Sequence, residues 1–371
     1  MTVAPDKHGT GIEWTHIPGT RGQTLNPLRA ENIATGAVGW YCEHASDECR
    51  FCYSERLNTK PGMSGGTGLA FKPGHLPELK LWLDEKVLHR PLHWREPRTI
   101  FVCSMTDLFG RFHTAQQIAR VLAMAALCPQ HIFIVLTKRA ERMHQIMTYE
   151  HTPAHIAAAM FAIMEAEGRP ITKETHPQLF DEHGYATVPV KLPLPNLWLG
   201  VSCGNQKAAE ERVPFLMRTP TPVPFVSAEP LIGSIHFGYL GWPSGDTRPR
   251  DGYNALLGFR YENGEVVERL QKLAWIITGG ESGFNANIRP THPEWKRSLR
   301  DQAAAVKIPF FDKQWGEWAP LAAGERPLRG VQTRTFQDGQ VMARVGREKA
   351  GHLLDGKEHF EFPDVKIGAA A

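Results

Sequence analysis

The sequence predicts an α/β fold in which parallel strands alternate with helices and close into part of a barrel. Two observations predict it. Short, almost continuously apolar runs rich in β-branched and aromatic residues recur along the chain, as in strands that are covered on both faces. Each run is followed by polar turn residues and then by a helical pattern, which is typical of βαβ units with right-handed crossovers.

The predicted elements follow one another along the chain. Besides an opening strand near residues 37–41, strands are predicted at residues 99–104, 131–137, 196–202, 224–228, 274–279 and 308–312. Helices are predicted between them at residues 115–127, 139–148, 207–217 and 293–305. With six or seven strands, a partial barrel of the (β/α)6 type fits this order better than two unrelated domains.

The same pattern predicts one domain with additions. The barrel is expected to take up residues 1–318, with insertions at 149–195 and 236–270. Residues 319–371 are expected to form a C-terminal extension or cap, because they are charged and include a short apolar stretch. The total length of 371 residues is within the range of a single barrel with insertions.

Composition excludes several classes of protein. Hydrophobic residues make up 42% and charged residues 22% of the chain, so it can bury a core and is not intrinsically disordered. No apolar run reaches the roughly 18 residues that span a bilayer, and the N-terminal residues lack the apolar core of a signal peptide. We therefore expect a cytoplasmic protein without a membrane partner. A net charge of +3 is too small to indicate nucleic acid by itself.

Cysteine usage is more informative. Six cysteines in a chain without an export signal do not suggest a disulfide scaffold. Three of them have the spacing Cys42-x6-Cys49-x2-Cys52, and three such thiolates can hold three irons of a [4Fe–4S] cube while the fourth iron stays open to a small molecule. Zinc, with His44 as a fourth ligand, is the competing interpretation, and unligated structural cysteines are the simplest one.

Polar residues follow the predicted strands at the point where each strand ends. They are Ser104 and Asp107, Lys138 and Arg139, Ser202 and Asn205, Glu229, Glu281, and Lys313 with Trp315. Because ligands of parallel α/β sheets bind at the carboxyl ends of the strands, we expect these residues to meet in one site. Several also have a plainer interpretation: the serines as helix caps, Lys138 and Arg139 in surface ion pairs, and the Gly279-Gly280 pair as a tight turn.

The cysteine motif resembles that of the radical S-adenosylmethionine superfamily. In that superfamily a loop of three cysteines ends in Cys-x-aromatic-Cys and precedes a partial α/β barrel, and here Phe51 has the aromatic position. The commonest spacing there is C-x3-C-x2-C. The longer gap between Cys42 and Cys49 is therefore a departure, which lengthens the loop and keeps three ligands.

A closer resemblance covers almost the whole chain. The segments that carry it are Ile12-Glu13-Trp14-Thr15, Asn26-Pro27, the cysteine motif with Tyr53, Leu136-Thr137-Lys138-Arg139, Trp198-Leu199-Gly200-Val201-Ser202, Glu229-Pro230-Leu231, Gly279-Gly280-Glu281-Ser282-Gly283, Lys313-Gln314-Trp315-Gly316-Glu317-Trp318 and residues 351–356. Through them the chain resembles a phage- and prophage-associated radical-SAM-like family of uncharacterised function.

The resemblance implies a cofactor chemistry. A [4Fe–4S] cluster on the three cysteines would bind S-adenosylmethionine through its open iron. One electron, supplied by an external reductant of the flavodoxin or ferredoxin type, would then release a 5′-deoxyadenosyl radical that abstracts hydrogen from the substrate. The cofactor carries the chemistry, and the protein supplies orientation and excludes water.

The resemblance also implies roles for the residues at the strand ends. By strand order the contacts to S-adenosylmethionine would be Ser104 and Asp107 to the amino group, Lys138 or Arg139 to the carboxylate, Ser202 and Asn205 to the ribose, and Glu229 as a further polar contact. Glu281 would face the substrate, with Lys313 beside it. Trp315 would either stack on a base or plug the barrel.

The expected reaction is a radical isomerisation of an amino-acid-bearing thymine, with phage DNA or a nucleoside as the substrate. The phage association of the family and the mildly positive charge motivate this hypothesis, and such an enzyme would flip the base out of the duplex. A repair reaction of the photoproduct-lyase kind is the enzymatic alternative. A non-enzymatic zinc protein that binds nucleic acid is the alternative from another class.

Overall fold

The computed structural model describes residues 9–60, 65–241, 251–283, 285–322 and 324–364. Within these ranges the strands, in chain order, are β1 Arg21–Leu25, β2 Leu28–Asn32, β3 Val38–Gly39, β4 Leu79–Leu83, β5 Arg98–Val102, β6 Ile132–Thr137, β7 Leu197–Ser202, β8 Phe225–Ala228, β9 Gly252–Asn254, β10 Phe259–Glu262, β11 Glu265–Arg269, β12 Trp275–Thr278, β13 Phe310–Asp312, β14 Trp318–Pro320, β15 Thr333–Thr335 and β16 Val341–Arg344. The α-helices are α1 Tyr53–Asn58, α2 Glu85–Leu88, α3 Ala115–Leu127, α4 Ala140–Thr148, α5 Thr152–Ala166, α6 Gln206–Arg218, α7 Pro293–Ala305 and α8 Arg347–Ala350.

Seven of these strands form one sheet, which curls into a half-barrel. Its strand order is β1-β5-β6-β7-β8-β12-β13, and every neighbouring pair is parallel. The α/β class is confirmed, and the six strands predicted from residue 99 onward are present as β5 to β8, β12 and β13. The four predicted helices are α3, α4, α6 and α7, and no end differs from its prediction by more than one residue.

A strand is present within the predicted range of residues 37–41, but it does not open the parallel sheet, and that part of the prediction is wrong. The parallel sheet begins instead with β1, and β3 belongs to a separate antiparallel sheet with the order β3-β2-β4. β1 is an edge strand with the sequence RGQTL, in which only Gly22 and Leu25 are buried, so it lacks the apolar run of a central strand. β3 returns beside β2 through a turn that the Asn32 N–H closes on the Ala37 carbonyl at 2.9 Å.

Helices and small sheets surround the half-barrel. α3 begins at a capping box made by Thr114 and Gln117, and it packs against α5, which lies in the segment predicted as the first insertion. The segment predicted as the second insertion contains the antiparallel sheet β11-β10-β9, and β14-β16-β15 form another antiparallel sheet after β13. Among the described helices, none has both the length and the apolar character needed to cross a membrane.

Near the amino ends of the strands, the inner face of the half-barrel is covered by a cluster of aromatic side chains. Trp14, from the segment before β1, is 2% exposed, and its ring centroid lies 6.3 Å from that of Trp275. Trp198 and Phe311 each lie 6.2 Å from Trp275 in edge-to-face contact. These rings fill the interior near the amino ends of the strands.

Toward the carboxyl ends of the strands, the side chains on the same face become smaller and polar. Because side chains of a strand alternate between its faces, Phe225 is followed on the inner face by Ser227 and then by Glu229. On β7, Gly200 lies under the Phe225 ring, where a Cβ atom would come within 2.4 Å of the ring, and Ser202 follows it. The interior therefore opens at the carboxyl edge of the sheet.

The last described segment covers the β13 edge. The Asp312 N–H donates to the His359 carbonyl oxygen at 2.7 Å, and the Phe360 ring stacks on Phe311 with centroids 4.9 Å apart. The indole N–H of Trp275 donates to the Glu361 carbonyl oxygen at 2.9 Å. Residues 359–362 thus close the aromatic cluster on this side.

Candidate functional site

The cysteine loop, which we define as residues 41–54, lies across the carboxyl edge of the parallel sheet. Both of its ends are fastened to the segment that follows β5. The Thr106 hydroxyl donates to the backbone oxygen of Tyr41, and the Ser54 hydroxyl donates to that of Met105 at 2.6 Å. The loop therefore begins and ends beside one strand, and its middle is free to extend toward the others.

The middle of the loop reaches the segment after β7. Glu48, which is 5% exposed, accepts hydrogen bonds from the Gly204 N–H at 3.0 Å and from Nη1 of Arg212 at 3.1 Å. Burial raises the pKa of Glu48, but its hydrogen bonds and the Arg212 charge outweigh this and the net shift is downward. Arg212 also donates to the Ser202 carbonyl oxygen at 2.6 Å. A Cβ atom at Gly204 would lie 2.8 Å from the Glu48 side chain, so this contact requires glycine.

The three cysteines of the motif are half-buried and close enough to influence one another's ionisation. Burial raises the pKa of Cys42 to about 12, and the negative charges of Asp107, Cys52 and Cys49 add to the increase. Burial also raises the pKa of Cys52, against the effect of the Lys138 ammonium. A metal that binds Cys42 and Cys52 must therefore displace their protons.

The donor set fits an iron–sulfur cluster in its chemistry. Three thiols on one loop are the donors that such clusters take, and the neighbouring cations Lys138 and Arg139 favour a negatively charged group there. Within the part of the chain that the structure describes, no three His, Cys, Asp or Glu side chains are arranged to hold a metal ion together. His44, the fourth ligand of the zinc interpretation, is hydrogen-bonded to Glu55 at 2.9 Å. A metal would have to draw the three thiols together.

Asp107 organises the ends of β5 and β6. It is 7% exposed, and its Oδ1 accepts from the Thr137 hydroxyl at 2.6 Å and from the Phe109 N–H at 3.0 Å. Its Oδ2 accepts from the Lys138 N–H at 3.0 Å and from Nη1 of Arg139 at 3.1 Å. The carboxylate predicted to hold the methionyl amino group is therefore already bound by four donors of the protein.

Ser104 lies beside the last residues of the cysteine loop. Its hydroxyl group is 3.0 Å from Nδ2 of Asn26, and its backbone oxygen accepts from the Tyr53 hydroxyl. Loss of water around that hydroxyl raises the pKa of Tyr53, and the charges of Cys52 and Glu229 raise it further. The Tyr53 hydroxyl therefore lies at the end of β5, while the residue as a whole is 46% exposed.

The two adjacent cations after β6 have different surroundings. Arg139 donates to the Glu43 carbonyl oxygen at 2.7 Å in addition to its ion pair with Asp107. Burial lowers the pKa of Arg139, but Asp107 and Cys42 outweigh burial and the net shift is upward. Lys138 is half-buried, and its ammonium has neither an ion pair nor a hydrogen bond with any residue that the structure describes. Of the two, Lys138 is the cation that can receive an anionic ligand.

Three of the predicted residues meet at the ends of β7, β8 and β13. Oε1 of Glu229 lies 2.8 Å from Nζ of Lys313, and both side chains are mostly buried. The Ser202 hydroxyl donates to the Glu229 carbonyl oxygen at 3.3 Å. Asn205 caps α6, because its side-chain oxygen accepts from the Ala208 N–H at 2.9 Å.

Glu281 is paired with Arg289, whereas Lys313 is paired with Glu229. Its buried carboxylate is bound by Arg289 through the backbone N–H at 2.8 Å, through Nε at 3.0 Å and through Nη2. Lys313 projects from β13 to the end of β8 instead, because the inner face of the sheet directs it there. A Cβ atom at Gly280 would lie 1.9 Å from the Trp315 carbonyl oxygen, so the glycine lets the ends of β12 and β13 touch.

Trp315 and Trp318 are core residues, 3% and 0% exposed. Their indole N–H groups donate to the carbonyl oxygens of Leu353 and Ile288, both at 2.9 Å. The ammonium of Lys296 lies 4.1 Å from the Trp315 ring centroid. Trp315 therefore packs inside the protein and offers no face on which a base could stack.

One family model matches nearly the whole chain. It is described as "Protein of unknown function (DUF5131)", and the match runs over residues 10–363. The chain belongs to this family. No curated protein and no solved structure matches it. The DUF5131 match begins before β1 and ends after the segment that covers β13, so it includes the cysteine loop and all seven parallel strands.

This DUF5131 chain contains site residues that the sequence analysis missed, namely Glu48, Arg212 and Arg289. For Arg212 the sequence contains one indication of a buried partner. Arg212 stands in α6 between the buried residues Ala209 and Val213, where an arginine without a partner would be unfavourable. The sequence contains no such indication for Glu48 or Arg289. Both lie outside the α-helices and strands, and their partners are far away in the sequence or on another loop.

Proposed function

We propose that the chain is a radical S-adenosylmethionine enzyme in which Cys42, Cys49 and Cys52 are the ligands of a [4Fe–4S] cluster. One observation carries the proposal. The three-cysteine loop is fastened across the carboxyl edge of a parallel half-barrel, which is where α/β proteins of this kind bind their ligands. A structural zinc site would instead need a fourth ligand.

The chain's own part in this chemistry is to bind and orient. A cluster held by these cysteines would pass one electron from an external reductant to S-adenosylmethionine, which would be cleaved to methionine and a 5′-deoxyadenosyl radical. Arg139, held by Asp107, stabilises the negative charge that a ligating Cys42 carries. The Lys138 ammonium receives the carboxylate of S-adenosylmethionine, because its charge has no partner among the described residues.

The remaining polar groups of the edge complete the proposed cofactor site. Ser104 is assigned to the amino group, and Asp107 holds the neighbouring segments in place behind it. The Ser202 hydroxyl and Asn205 are assigned to the ribose, and Glu229 is a further contact. All follow strands that end at the same edge of the sheet.

For the substrate we propose an amino-acid-bearing thymine in DNA, and for the reaction a radical isomerisation. Hydrogen abstraction makes an unactivated carbon reactive, which a rearrangement of such a side chain requires. The base must leave the duplex to enter the half-barrel, at a cost on the order of a few kcal/mol. Lys313, which Glu229 holds at 2.8 Å, is the proposed substrate-facing group.

The proposal is tested on protein purified without oxygen. Iron, sulfide and zinc are measured, dithionite and S-adenosylmethionine are added, and 5′-deoxyadenosine is quantified. We expect about four irons per chain and formation of 5′-deoxyadenosine. The Cys49→Ala variant should lose both. The matched Cys128→Ala variant should keep both, because Cys128 is a core residue at the end of α3.

The alternatives give different results in the same experiment. One zinc per chain, no iron and intact S-adenosylmethionine would overturn the proposal and favour a nucleic-acid-binding protein. With active protein, digested DNA is analysed by chromatography and mass spectrometry. A product nucleoside of unchanged mass and altered retention supports isomerisation, repaired thymine photoproducts support the lyase alternative, and unchanged nucleosides contradict a DNA substrate.

A further inference from the structure

Arg289 joins two parts of the carboxyl edge that are far apart in the sequence. On one side its guanidinium and its backbone N–H bind the carboxylate of Glu281, which is 4% exposed. On the other side Nη2 donates to the backbone oxygen of Asp47 in the cysteine loop at 3.0 Å. The guanidinium carbon also lies 5.6 Å from the ring centroid of Phe51. One side chain thus bridges the end of β12 and the cysteine loop.

The end of β12 gives this bridge a rigid base. The Glu281 carbonyl oxygen accepts from the Glu317 N–H at 3.1 Å, and the Gly280 N–H donates to the Gln314 carbonyl oxygen at 2.8 Å. At Gly316, φ is +79°, and a Cβ atom there would lie 2.2 Å from the Glu281 carbonyl oxygen. The two segments after β12 and β13 are therefore held against each other by contacts that do not involve Arg289.

The part of the loop that Arg289 holds carries Cys49. Residues Asp47–Cys49 form a single turn of 3-10 helix, closed by a hydrogen bond of 2.9 Å from the Cys49 N–H to the Ser46 carbonyl oxygen. Arg289 binds the first residue of this turn. Cys42 is held from the opposite side of the edge, where Arg139 donates to the Glu43 carbonyl oxygen.

We propose that Arg289, oriented by Glu281, is the positioning residue that fixes the Cys49 half of the cysteine loop to the carboxyl edge of the sheet. Because Glu281 neutralises its charge, Arg289 holds the loop and leaves binding of an anionic ligand to other cations. The inference deepens the proposed function, since Cys49 is one of the proposed cluster ligands. Its physical basis is separate, because it concerns the loop before any metal is bound.

The experiment measures alkylation of each cysteine in reduced, metal-free protein, with iodoacetamide and mass spectrometry. In Arg289→Gln we expect Cys49 to react about tenfold faster than in the wild type, because loss of a charge-assisted anchor lets this half of the loop open. The alkylation rate of Cys42 should change much less.

Variants and an internal standard separate loop opening from unfolding. Glu281→Gln should also increase the alkylation rate of Cys49. In Arg289→Lys the rate should fall between those of Arg289→Gln and the wild type. Arg297→Gln is the matched control, because Arg297 binds Asp355 at the surface and should leave all rates unchanged. Cys128 is fully buried in the core and reports global unfolding.

An unchanged Cys49 rate would overturn the inference. So would equal acceleration of Cys42 and Cys49, or acceleration of Cys128 in both Arg289 variants, because Arg289 would then support the whole fold. Failure of the proposed function gives a different result, since protein without iron or 5′-deoxyadenosine still yields these alkylation rates.

Discussion

The two ends of the parallel strands are built from opposite chemistry. At the amino ends of the strands, Trp14, Phe225 and Trp275 pack ring against ring, and none is more than 2% exposed. At the carboxyl ends, the Glu48 and Arg212 side chains form an ion pair at 3.1 Å with exposures of 1% and 5%. The surroundings of the strands thus change from apolar at their amino ends to ionic at the carboxyl edge.

The difference shows which end stabilises the fold and which end is specialised. Burial of aromatic surface contributes directly to stability, and edge-to-face contacts add to it. Buried ion pairs contribute little net free energy, because both charges lose water when they leave the solvent. The ion pairs at the carboxyl edge hold polar groups and the cysteine loop in fixed positions, which is what a binding site needs.

The largest expected effect comes from the aromatic end. We expect Trp275→Ala to lower the free energy of unfolding by about 4 kcal/mol, because the indole fills the centre of the aromatic cluster. Trp14, Trp198 and Phe311 all lie between 6.2 and 6.3 Å from it. Urea unfolding followed by circular dichroism measures the change.

Leu328→Ala is the control for this variant, since Leu328 is 79% exposed and its truncation should change stability by less than about 0.5 kcal/mol. A loss below about 1 kcal/mol for Trp275→Ala would mean that the aromatic end is not the stabilising end.

The second effect is a pH dependence that belongs to the carboxyl end. His113 is 4% exposed and its Nε2 lies 3.4 Å from the Thr106 hydroxyl, next to the start of the cysteine loop. Burial, with Arg142 and Arg139, lowers the pKa of His113 to about 4, although Asp107 acts in the opposite direction.

The sign of the pH dependence follows from this shift. The unfolded chain has an ordinary histidine pKa of about 6.5, so between pH 6.5 and 4 the unfolded state binds a proton that the folded state does not. The free energy of unfolding therefore falls as the pH is lowered through this range, by about 2 kcal/mol between pH 7 and 5.

The measurement compares urea unfolding at pH 7 and pH 5 for the wild type and His113→Gln. The variant should lose this part of the pH dependence, whereas the exposed His151→Gln should keep it. Equal pH dependence in the wild type and His113→Gln would contradict the assignment.

The apolar part of the molecule is also the part that could be predicted from the sequence. β6 and β7 are almost continuously buried, so their apolar runs are visible in the sequence, and the helices between the central strands have clear periodicity. β1 was missed because an edge strand with the sequence RGQTL has no such run. The fold class therefore follows from patterns that each strand carries within itself.

The ionic end could be predicted only in part. Strand order correctly brought Glu229 and Lys313 to one edge, since both follow parallel strands. It could not show that Glu281 binds Arg289, because that pairing depends on the path of a loop and not on a periodic pattern. Pairings across the edge are tertiary information, and short motifs such as Gly-Gly-Glu do not contain it.

The smallest expected change in stability is that of a Lys138 substitution, and the same substitution at the adjacent Arg139 is its comparison. We expect Lys138→Gln to change the free energy of unfolding by less than about 0.5 kcal/mol, because its ammonium has no partner among the described residues. Arg139→Gln should cost about 2 kcal/mol, because it leaves the buried Asp107 carboxylate without its cation.

The binding of S-adenosylmethionine by cluster-loaded protein separates the two residues further. Titration should show about tenfold weaker binding for Lys138→Gln, as expected when one charge-assisted contact to a carboxylate is lost. The opposite result would be a Lys138→Gln variant that is destabilised as much as Arg139→Gln and binds S-adenosylmethionine normally. Lys138 would then be a structural group, and the carboxyl edge would lose its candidate anion-binding residue.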